Sequence, residues 1–195
     1  MIESKLIPKA LFSDKSVKSV NNLIDYAGIE YIASMNQTHS DVVTFVKSSA
    51  VYDSDGIYTA EPKLGLVVQT ADCMPILLSD KKRIGAIHSG WRGLKNNILE
   101  KAIKKFDVNE LSISIGPHAQ SCCYEVKEDV KKYFNDYTEI RDGMFFLNMS
   151  KALKDLSEKE GFQIEVSSIC TICNSSYNSY RENKTSARQF GVIWK

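Results

Sequence analysis

The sequence predicts an α+β fold in which mixed β-sheet is covered by a few helices. Segments with strand-like patterns outnumber helical segments and do not alternate strictly with them, as a doubly wound fold would require. No internal repeat, low-complexity tract or linker divides the chain. Since 195 residues correspond to roughly one ordinary domain, we predict a single domain over residues 1–195.

The first half of the chain is predicted to be mostly strand. A helix over Ser16–Ala27 is the exception, because apolar residues recur on one face and Gly28 follows as a terminator. Short segments rich in apolar and β-branched residues then predict six strands, at Ile29–Ser34, Asp41–Lys47, Gly56–Thr59, Leu64–Thr70, Pro75–Leu78 and Arg83–His88. A polar connection, residues 35–40, joins the first two.

The periodicity of the sequence changes after His88. Residues Leu94–Phe106 place apolar side chains on one face and lysines on the other, which predicts an amphipathic helix. Further strands are predicted at Leu111–Ile115, Met144–Leu147, Phe162–Ile169 and Gly191–Trp194. Further helices are predicted at Val126–Phe134 and from Met149 to a stop at Gly161.

Composition excludes several classes of protein. Apolar residues make up 43% of the chain and charged residues 25%, which is typical of a globular and not of a disordered protein. The net charge is only +1, so no bulk electrostatic field favours nucleic acid or an anionic membrane as a partner. The longest apolar stretch, Leu64–Leu78, is interrupted by polar residues and is too short to span a membrane.

Cysteine content and the N-terminal residues predict a cytoplasmic protein. Five cysteines are an odd number at low density, which argues against a secreted disulfide scaffold. The segment Met1–Phe12 carries Glu3, Lys5 and Lys9 and lacks the apolar region of a signal peptide. The sequence leaves the oligomeric state open, and a monomer is favoured.

Two of the three histidines and one cysteine form a candidate metal triad. His39 lies in a loop between two strands, Cys73 follows a strand, and His88 ends another. These residues are too far apart in sequence for a zinc finger, but paired strands can bring strand ends together. Two imidazoles and a thiolate suit zinc and leave a fourth position for water or substrate. The alternative is a turn histidine, a hydrogen-bonded histidine and a buried thiol that serve packing alone.

The segment from His88 to Gly93 is a candidate anion site. Gly90 and Gly93 allow the backbone to turn sharply and to approach a ligand, and Arg92 adds a forked cation at the start of the predicted helix. A tight strand–helix turn with Trp91 packed on the core explains the same residues equally well. Asp72 precedes Cys73 and points to the opposite face of an extended segment, so it is a candidate histidine partner or proton-transfer group, not a ligand.

The other cysteines and the C-terminal arginines carry weaker signals. Cys122 and Cys123 are adjacent, and we expect their side chains to diverge too much to share a metal. Cys170 and Cys173 have the spacing of half a zinc site, with no second pair at finger distance, so packing is the expected role. The segment from Tyr180 to Gln189 contributes two arginines, which suit either a phosphate contact or a solvated loop.

Several of these segments, in this order, resemble the motifs of the laccase-domain family, which is labelled multicopper polyphenol oxidoreductase and also interpreted as zinc-dependent purine nucleoside phosphorylase. The resemblance covers about residues 30–195 and rests on Asn36–Val43, Thr70–Leu78, His88–Gly93, Gly116–Val126, Cys170–Cys173 and Tyr180–Arg181. This chain departs from the family pattern in three places. Its N-terminal segment is shorter, Gln120-Ser121 replaces a second Gly-Pro, and Thr185–Arg188 replaces a Thr-Gly-Arg.

The resemblance implies an α/β/β/α layered sandwich with one zinc on His39, Cys73 and His88. It also implies phosphorolysis of adenosine, inosine, guanosine or methylthioadenosine to purine and ribose 1-phosphate, with adenosine deamination alongside. Under this hypothesis Arg92, with Arg181 or Arg188, neutralises phosphate. Asp72 and Cys122 are the candidates for protonating the departing purine.

Three other functions are alternatives to a nucleoside phosphorylase. A zinc amidase that edits peptidoglycan precursors would use the same open metal site. A copper polyphenol oxidase of the laccase type needs far more imidazoles than the three that one chain supplies. A binding protein stabilised by zinc would normally close its site with a fourth protein ligand, and the triad has three.

Overall fold

A computed structural model describes all 195 residues as a layered structure of strands and helices. Its strands are β1 (Ile2–Glu3), β2 (Ala10–Phe12), β3 (Tyr31–Met35), β4 (Val43–Phe45), β5 (Val51–Tyr52), β6 (Gly56–Thr59), β7 (Leu64–Thr70), β8 (Met74–Ser79), β9 (Ile84–Ser89), β10 (Ser112–Ile115), β11 (Glu125–Val126), β12 (Thr138–Arg141), β13 (Met144–Leu147), β14 (Gln163–Val166) and β15 (Gln189–Ile193). Its helices are α1 (Val20–Ala27), α2 (Trp91–Lys95), α3 (Ile98–Ile103), α4 (Glu128–Lys131), α5 (Met149–Glu160) and α6 (Tyr180–Asn183). None of these helices has the length and apolar character that crossing a membrane requires.

The strands form two large sheets and one small one, and the large sheets are mixed. The first sheet has the order β1-β2-β15-β7-β3-β5 and the second the order β14-β10-β8-β9-β6-β4. In the first sheet β7 pairs antiparallel with β15 and parallel with β3, and in the second β10 pairs antiparallel with β8 and parallel with β14. The small sheet contains β11, β13 and β12. The mixed-sheet α+β prediction is therefore confirmed.

The two large sheets pack face to face, with helices on the outer sides. Leu66 and Val68 of β7 belong to the same buried core as Leu77 of β8, between the sheets. Val67 belongs to a different core, which it shares with α1. On the second sheet Ile76 points away from the first sheet, into a core that α3 and α5 complete. Burial on both faces explains why these strands are almost continuously apolar in sequence. The predicted α/β/β/α layering is confirmed.

Two predicted helices differ from the structure. The helix expected over Leu94–Phe106 is divided into α2 and α3, because Asn97 adopts a left-handed conformation with φ of 58°. The helix expected over Val126–Phe134 is only the short α4, because Val126 pairs with β13 and belongs to a strand. At Val126 strand pairing outweighs the helical pattern of the sequence.

The N-terminal strands were not predicted and complete the first sheet. Ala10–Phe12 pairs antiparallel with β15, and the N–H of Trp194 donates to the carbonyl of Lys9. Gly116 lies against this segment, since a Cβ there would come within 2.3 Å of the Phe12 ring. The loop that begins at Gly116 is therefore held close to the first sheet.

Glu165 links the N-terminal segment to the second sheet. Its carboxylate accepts hydrogen bonds from Ser114 Oγ at 2.6 Å, from the backbone N–H of Lys5 at 3.2 Å and from the hydroxyl of Ser4. Partial burial by itself raises the pKa of Glu165, but these hydrogen bonds outweigh burial and lower the pKa below its ordinary value.

We expect Glu165→Gln to reduce the acid sensitivity of folding. A carboxyl whose pKa is lower in the folded state stabilises fully above the unfolded pKa of about 4.3, and this stabilisation is lost as pH falls through the folded pKa. The variant should lose about 1 kcal/mol of unfolding free energy at neutral pH and less at about pH 3, as measured by urea unfolding. Glu139→Gln, on an exposed strand position, is the control. An equal loss at both pH values would contradict the role of Glu165.

Candidate active site

The three residues of the predicted metal triad converge. The ligand atoms of His39, Cys73 and His88 all lie within 4.8 Å of one another. The sulfur of Cys73 is 3.8 Å from Nε2 of His39, and the two imidazole rings lie edge to face with centroids 4.9 Å apart. Residues that are far apart in the chain thus form one compact donor group.

Strand pairing and two unusual backbone conformations bring the donors together. His39 follows β3 with φ of 63°, and Cys73 follows Asp72, whose φ is 88°, in the bend between β7 and β8. His88 lies on β9 opposite Pro75 of β8 in antiparallel register. Positive φ is uncommon outside glycine and is typically retained where function or packing requires it.

Asp55, which our sequence analysis missed, holds two of the donors. Its fully buried carboxylate accepts hydrogen bonds from the backbone N–H groups of Thr38, His39 and Ser40 at 2.6–3.1 Å and from the hydroxyl of Ser40. It also lies 2.7 Å from Nδ1 of His88. This contact directs Nε2 of His88 towards the donor group, as carboxylate partners do for metal-binding histidines.

The protonation states of the donors are strongly coupled. Burial by itself raises the pKa of Cys73, but hydrogen bonds from His39 and His88 outweigh burial and lower it to about 6. Burial by itself lowers the pKa of His88, but Asp55 and the Cys73 sulfur raise it to about 9. The pair therefore favours a thiolate, the form of cysteine that binds metals.

The donor set fits a transition-metal ion. Two imidazole nitrogens and one thiolate are common ligands for such ions. No fourth His, Cys, Asp or Glu joins the group, so the protein supplies three ligands. Three protein ligands are typical of catalytic metal sites, whereas structural sites usually have four.

Gly90 lies against the donor sulfur, and replacing it should disturb metal binding. A Cβ at residue 90 would come within 2.7 Å of Sγ of Cys73, while the φ of −88° is accessible to alanine. We expect Gly90→Ala to fold normally and to bind the metal about tenfold or more weakly, measured by competition with a chromophoric chelator.

Gly93→Ala provides the matched control for Gly90→Ala. It adds the same methyl group three residues later, where the nearest atoms belong to Ser89 and Ile98 and not to a donor. Unchanged metal affinity in Gly90→Ala would show that the sulfur moves freely and that the close approach is unimportant.

A cavity of about 520 Å³ opens onto the donor group. This volume is within the range of pockets that bind small molecules. Its charged lining residues, apart from the donors, are Arg92, Arg181, Arg188 and Asp72, so the cavity carries an excess of positive charge. The other lining residues are Met35, Gln37, Gln69, Thr70, Ala71, Gly90, Trp91, Tyr124 and Tyr180.

The three arginines differ in how the protein holds them. The Arg181 guanidinium donates to the carbonyl of Glu125 at 2.7 Å, and that of Arg188 donates to the carbonyls of Thr185 and Ala187. Arg92 stacks over the Trp91 ring at 4.6 Å, and its guanidinium makes no hydrogen bond within the protein. The donors of Arg92 are therefore available to a ligand.

Asp72 anchors the start of helix α6, which carries Arg181. Its carboxylate accepts from the Thr171 hydroxyl at 2.8 Å and from the backbone N–H of Arg181 at 2.6 Å, and its carbonyl accepts from Ala119. It makes no hydrogen bond to a histidine. The histidine partner, one of the two roles predicted for Asp72, is instead Asp55.

Cys122 does not line the cavity. It belongs to a second group of donors in which the sulfurs of Cys122, Cys123, Cys170 and Cys173 lie within 4.8 Å of one another. The expected divergence of the Cys122 and Cys123 side chains is not observed, because residues 121–123 form a turn and not an extended segment.

His118, the third histidine, is a structural residue. It is fully buried, with Nδ1 2.8 Å from the carbonyl of Gly116 and Nε2 3.1 Å from the amide nitrogen of Gln120. Burial lowers the pKa of His118 to about 4, so the imidazole is neutral at pH 7. One hydrogen bond donated to Gly116 and one accepted from Gln120 satisfy this neutral ring.

Sequence analysis also missed three polar or aromatic residues of the cavity. Gln37 exchanges two hydrogen bonds with the backbone of Gln69, at 2.7 and 2.9 Å. These bonds tie the segment after β3 to strand β7. Tyr124 and Tyr180 line the cavity near Arg181, whose guanidinium lies 5.2 Å from the Tyr124 ring. Each tyrosine is adjacent to a residue considered in the sequence analysis, Cys123 or Arg181. No periodicity indicated that the tyrosines themselves face the site.

The chain is similar in sequence to proteins named purine nucleoside phosphorylase. One from Aquifex aeolicus is 36% identical over 174 residues, which cover 86% of this chain and 84% of that protein. Another, from Clostridium acetobutylicum, is 31% identical over 196 residues, which cover 91% of this chain and 82% of that protein.

Solved structures share the fold. A hypothetical protein of Bacillus licheniformis, YfiH, superposes with a TM-score of 0.85 at 24% identity, covering 95% of this chain and 92% of that one. Protein NMB0706 of Neisseria meningitidis superposes with a TM-score of 0.79 at 26% identity, covering 89% and 78%. Residues 14–195 match the family model described as multi-copper polyphenol oxidoreductase laccase. Because this match spans nearly the whole chain, the protein belongs to that family.

Proposed function

We propose that this chain is a zinc-dependent purine nucleoside phosphorylase that also deaminates adenosine. The observation that carries the proposal is an open, three-ligand donor group at the end of a positively charged cavity large enough for a nucleoside and phosphate. The names of the relatives from Aquifex aeolicus and Clostridium acetobutylicum support the same reaction class.

His39, Cys73 and His88 would hold the zinc ion. A thiolate with two imidazoles is a common zinc donor set, and the carboxylate of Asp55 fixes the orientation of His88. Bound zinc would supply Lewis acidity towards oxygen atoms of the reactants. The protein's part is to hold the donors rigidly, which the strand pairing of β8 and β9 and the hydrogen bonds of Asp55 achieve.

Phosphate is expected to bind among the arginines. Arg92 has free guanidinium donors, which match phosphate oxygens in a forked geometry, and the positive charges of Arg181 and Arg188 add attraction. Asp72 keeps Arg181 in place through its backbone N–H. The arginines thus hold the nucleophile and neutralise charge that would otherwise oppose its approach to the sugar.

In the proposed reaction a phosphate oxygen forms a bond to the anomeric carbon of ribose while the bond to the purine nitrogen breaks. The bonding electrons leave with the purine, which takes up a proton. Asp72 lines the cavity and Cys122 does not, so Asp72 is the better candidate for this proton exchange. Trp91, Tyr124 and Tyr180 offer aromatic surfaces in the same cavity against which a purine can stack.

The position of the histidines also bears on the family's laccase label. A trinuclear copper centre with a type-1 copper requires many imidazoles, and this chain places only His39 and His88 in one group. His118 is buried elsewhere, with both ring nitrogens engaged in hydrogen bonds. The donor set of one chain therefore suits a single metal ion better than a laccase centre.

The nucleoside assay tests the proposal directly. Metal-loaded protein is incubated with inosine in the presence and absence of phosphate, and hypoxanthine and ribose 1-phosphate are measured. Both products should form only with phosphate, and adenosine should give adenine together with some inosine. A muramyl peptide serves as the substrate of the alternative amidase. Turnover of that peptide without any phosphorolysis would overturn the proposal.

Arg92→Ala should raise the KM for phosphate. Loss of charge-assisted hydrogen bonds worth about 1.5–3 kcal/mol corresponds to about a 10- to 100-fold increase. The KM for inosine at saturating phosphate should change much less. Arg83→Ala, which removes an arginine outside the cavity, is the control. Equal effects of the two variants on phosphate KM would count against a phosphate site at Arg92.

A further inference from the structure

Four cysteines form a second cluster of potential ligands outside the cavity lining. The sulfurs of Cys122, Cys123, Cys170 and Cys173 all lie within 4.8 Å of one another. All four are free thiols, and they come from two loops that are about fifty residues apart in sequence. The reaction proposed above assigns these cysteines no firm role. Cys122 was a candidate for protonating the purine, but it does not line the cavity.

The sulfur spacing is close to that of a tetrahedral thiolate site. With zinc–sulfur bonds of about 2.3 Å, tetrahedral geometry separates the sulfurs by about 3.8 Å. The observed limit of 4.8 Å requires only small side-chain movements to reach this value. A mononuclear four-sulfur site of this kind is typical of zinc.

The backbone around Cys170 already favours a thiolate. The N–H of Gln120 donates to Sγ of Cys170 at 3.4 Å. A backbone N–H directed at a sulfur stabilises its negative charge before any cation is bound.

The other sulfurs lack such compensation. The sulfurs of Cys122 and Cys123 receive no backbone hydrogen bond of the kind that Cys170 accepts from Gln120. Four clustered sulfurs repel one another once ionised, and their negative charges then need a cation to balance them. A bound divalent ion would supply that balance.

Backbone contacts hold the two loops in register beside the cluster. The N–H of His118 donates to the carbonyl of Ile169 and the N–H of Thr171 donates to the carbonyl of His118. The cysteine side chains are thus carried by backbone whose relative position is fixed. This preorganisation favours ligand binding over incidental proximity.

We propose that Cys122, Cys123, Cys170 and Cys173 bind one zinc ion in a closed, structural site that fastens the two loops together. Binding displaces the thiol protons to water and forms four zinc–sulfur bonds, with no change of oxidation state. The site supports the cavity from outside, because Cys123 precedes Tyr124 and the Cys170–Cys173 turn carries Thr171, which donates to Asp72. This proposal does not depend on the reaction assigned to the cavity.

Zinc stoichiometry in two complementary variants tests the proposal. Native mass spectrometry and elemental analysis of the wild-type protein, purified under reducing conditions and supplied with zinc, should find one zinc for each of the two donor groups. A His39→Ala/His88→Ala variant should keep one zinc, and a Cys170→Ser/Cys173→Ser variant should also keep one. The cobalt-substituted form of the first variant should show the absorption of tetrahedral thiolate coordination.

Thiol reactivity in the wild-type protein gives a measurement that does not depend on variant folding. Cys122 and Cys173 are exposed, so alkylation should modify them quickly in metal-free protein and slowly when zinc is bound. Rapid alkylation in the zinc-loaded protein would overturn the proposal. So would an intact mass that shows disulfides under reducing purification, bound iron and sulfide, or a zinc content unchanged in Cys170→Ser/Cys173→Ser.

Discussion

Replacing Cys73 with alanine is expected to remove both metal binding and the proposed phosphorolysis. Cys73 is the only anionic donor of its group, and its thiolate is supported by His39 and His88. We expect metal affinity to fall by more than the roughly 10- to 100-fold that loss of an outer hydrogen-bond partner produces. The rate at saturating substrate should fall by about 10²–10³, the cost of removing a principal electrostatic contribution. Chelator competition and the inosine assay measure the two effects.

The fold should survive the Cys73→Ala substitution. The side chain is half-buried and small, so its truncation should cost less than about 1 kcal/mol of unfolding free energy in the metal-free protein. Ser89→Ala is a suitable control, because Ser89 is buried directly after His88 and contributes no donor. A Cys73→Ala protein with wild-type metal content and activity would refute the assignment of the thiolate.

Strands could be predicted from the sequence where burial makes a distinct pattern. Gly56–Thr59, Leu64–Thr70 and Met144–Leu147 have the predicted bounds, because turn residues or a change of polarity delimit each apolar run. Ala10–Phe12 was missed because three residues are too few for a periodicity. Their strand character depends on pairing with β15, which is about 180 residues away in the chain. Such pairing is not visible in a local pattern.

The candidate donor group could be predicted because imidazoles and thiols suit transition-metal ions, and this chain has only three histidines and five cysteines. Two of its three histidines and Cys73 follow or end strands, and resemblance to a known family supported the choice. The spacing of Cys170 and Cys173 was also visible. The sequence did not show that Cys122 and Cys123 lie beside that pair. Their position depends on a turn whose conformation the sequence pattern does not indicate.

Asp55 shows why the support of a site is harder to predict than its ligands. A metal-binding histidine generally needs a hydrogen-bond partner, so a carboxylate was to be expected near His88. Asp53, Asp55 and Asp72 all lie between the first motif and His88 in sequence. The choice depends on the antiparallel register of β6 and β9, in which Gly56 lies opposite Ile87 and places Asp55 beside His88. Such a register is set by the pairing of the whole sheet, so the local sequence around Asp55 does not reveal it.

The Asp55→Asn substitution should destabilise the protein and weaken metal binding at the same time. The carboxylate of Asp55 accepts from Thr38, His39, Ser40 and His88, whereas an amide offers one acceptor oxygen and directs its own N–H groups at other donors. Buried donors left without acceptors cost about 1–3 kcal/mol each, so we expect a loss of about 3 kcal/mol in unfolding free energy. Metal affinity of the folded protein should fall about 10- to 100-fold, because His88 is no longer oriented.

Urea unfolding of the metal-free protein and chelator competition on the folded protein separate these two effects of Asp55→Asn. Asp53→Asn is the matched control, since Asp53 accepts a single hydrogen bond, from the amide of Asn36 at 2.9 Å, at the exposed side of the same segment. If Asp55→Asn lowered stability but left metal affinity intact, Asp55 would be a loop anchor alone. The orientation of His88 would then depend on the packing of β9 and on its antiparallel pairing with β8.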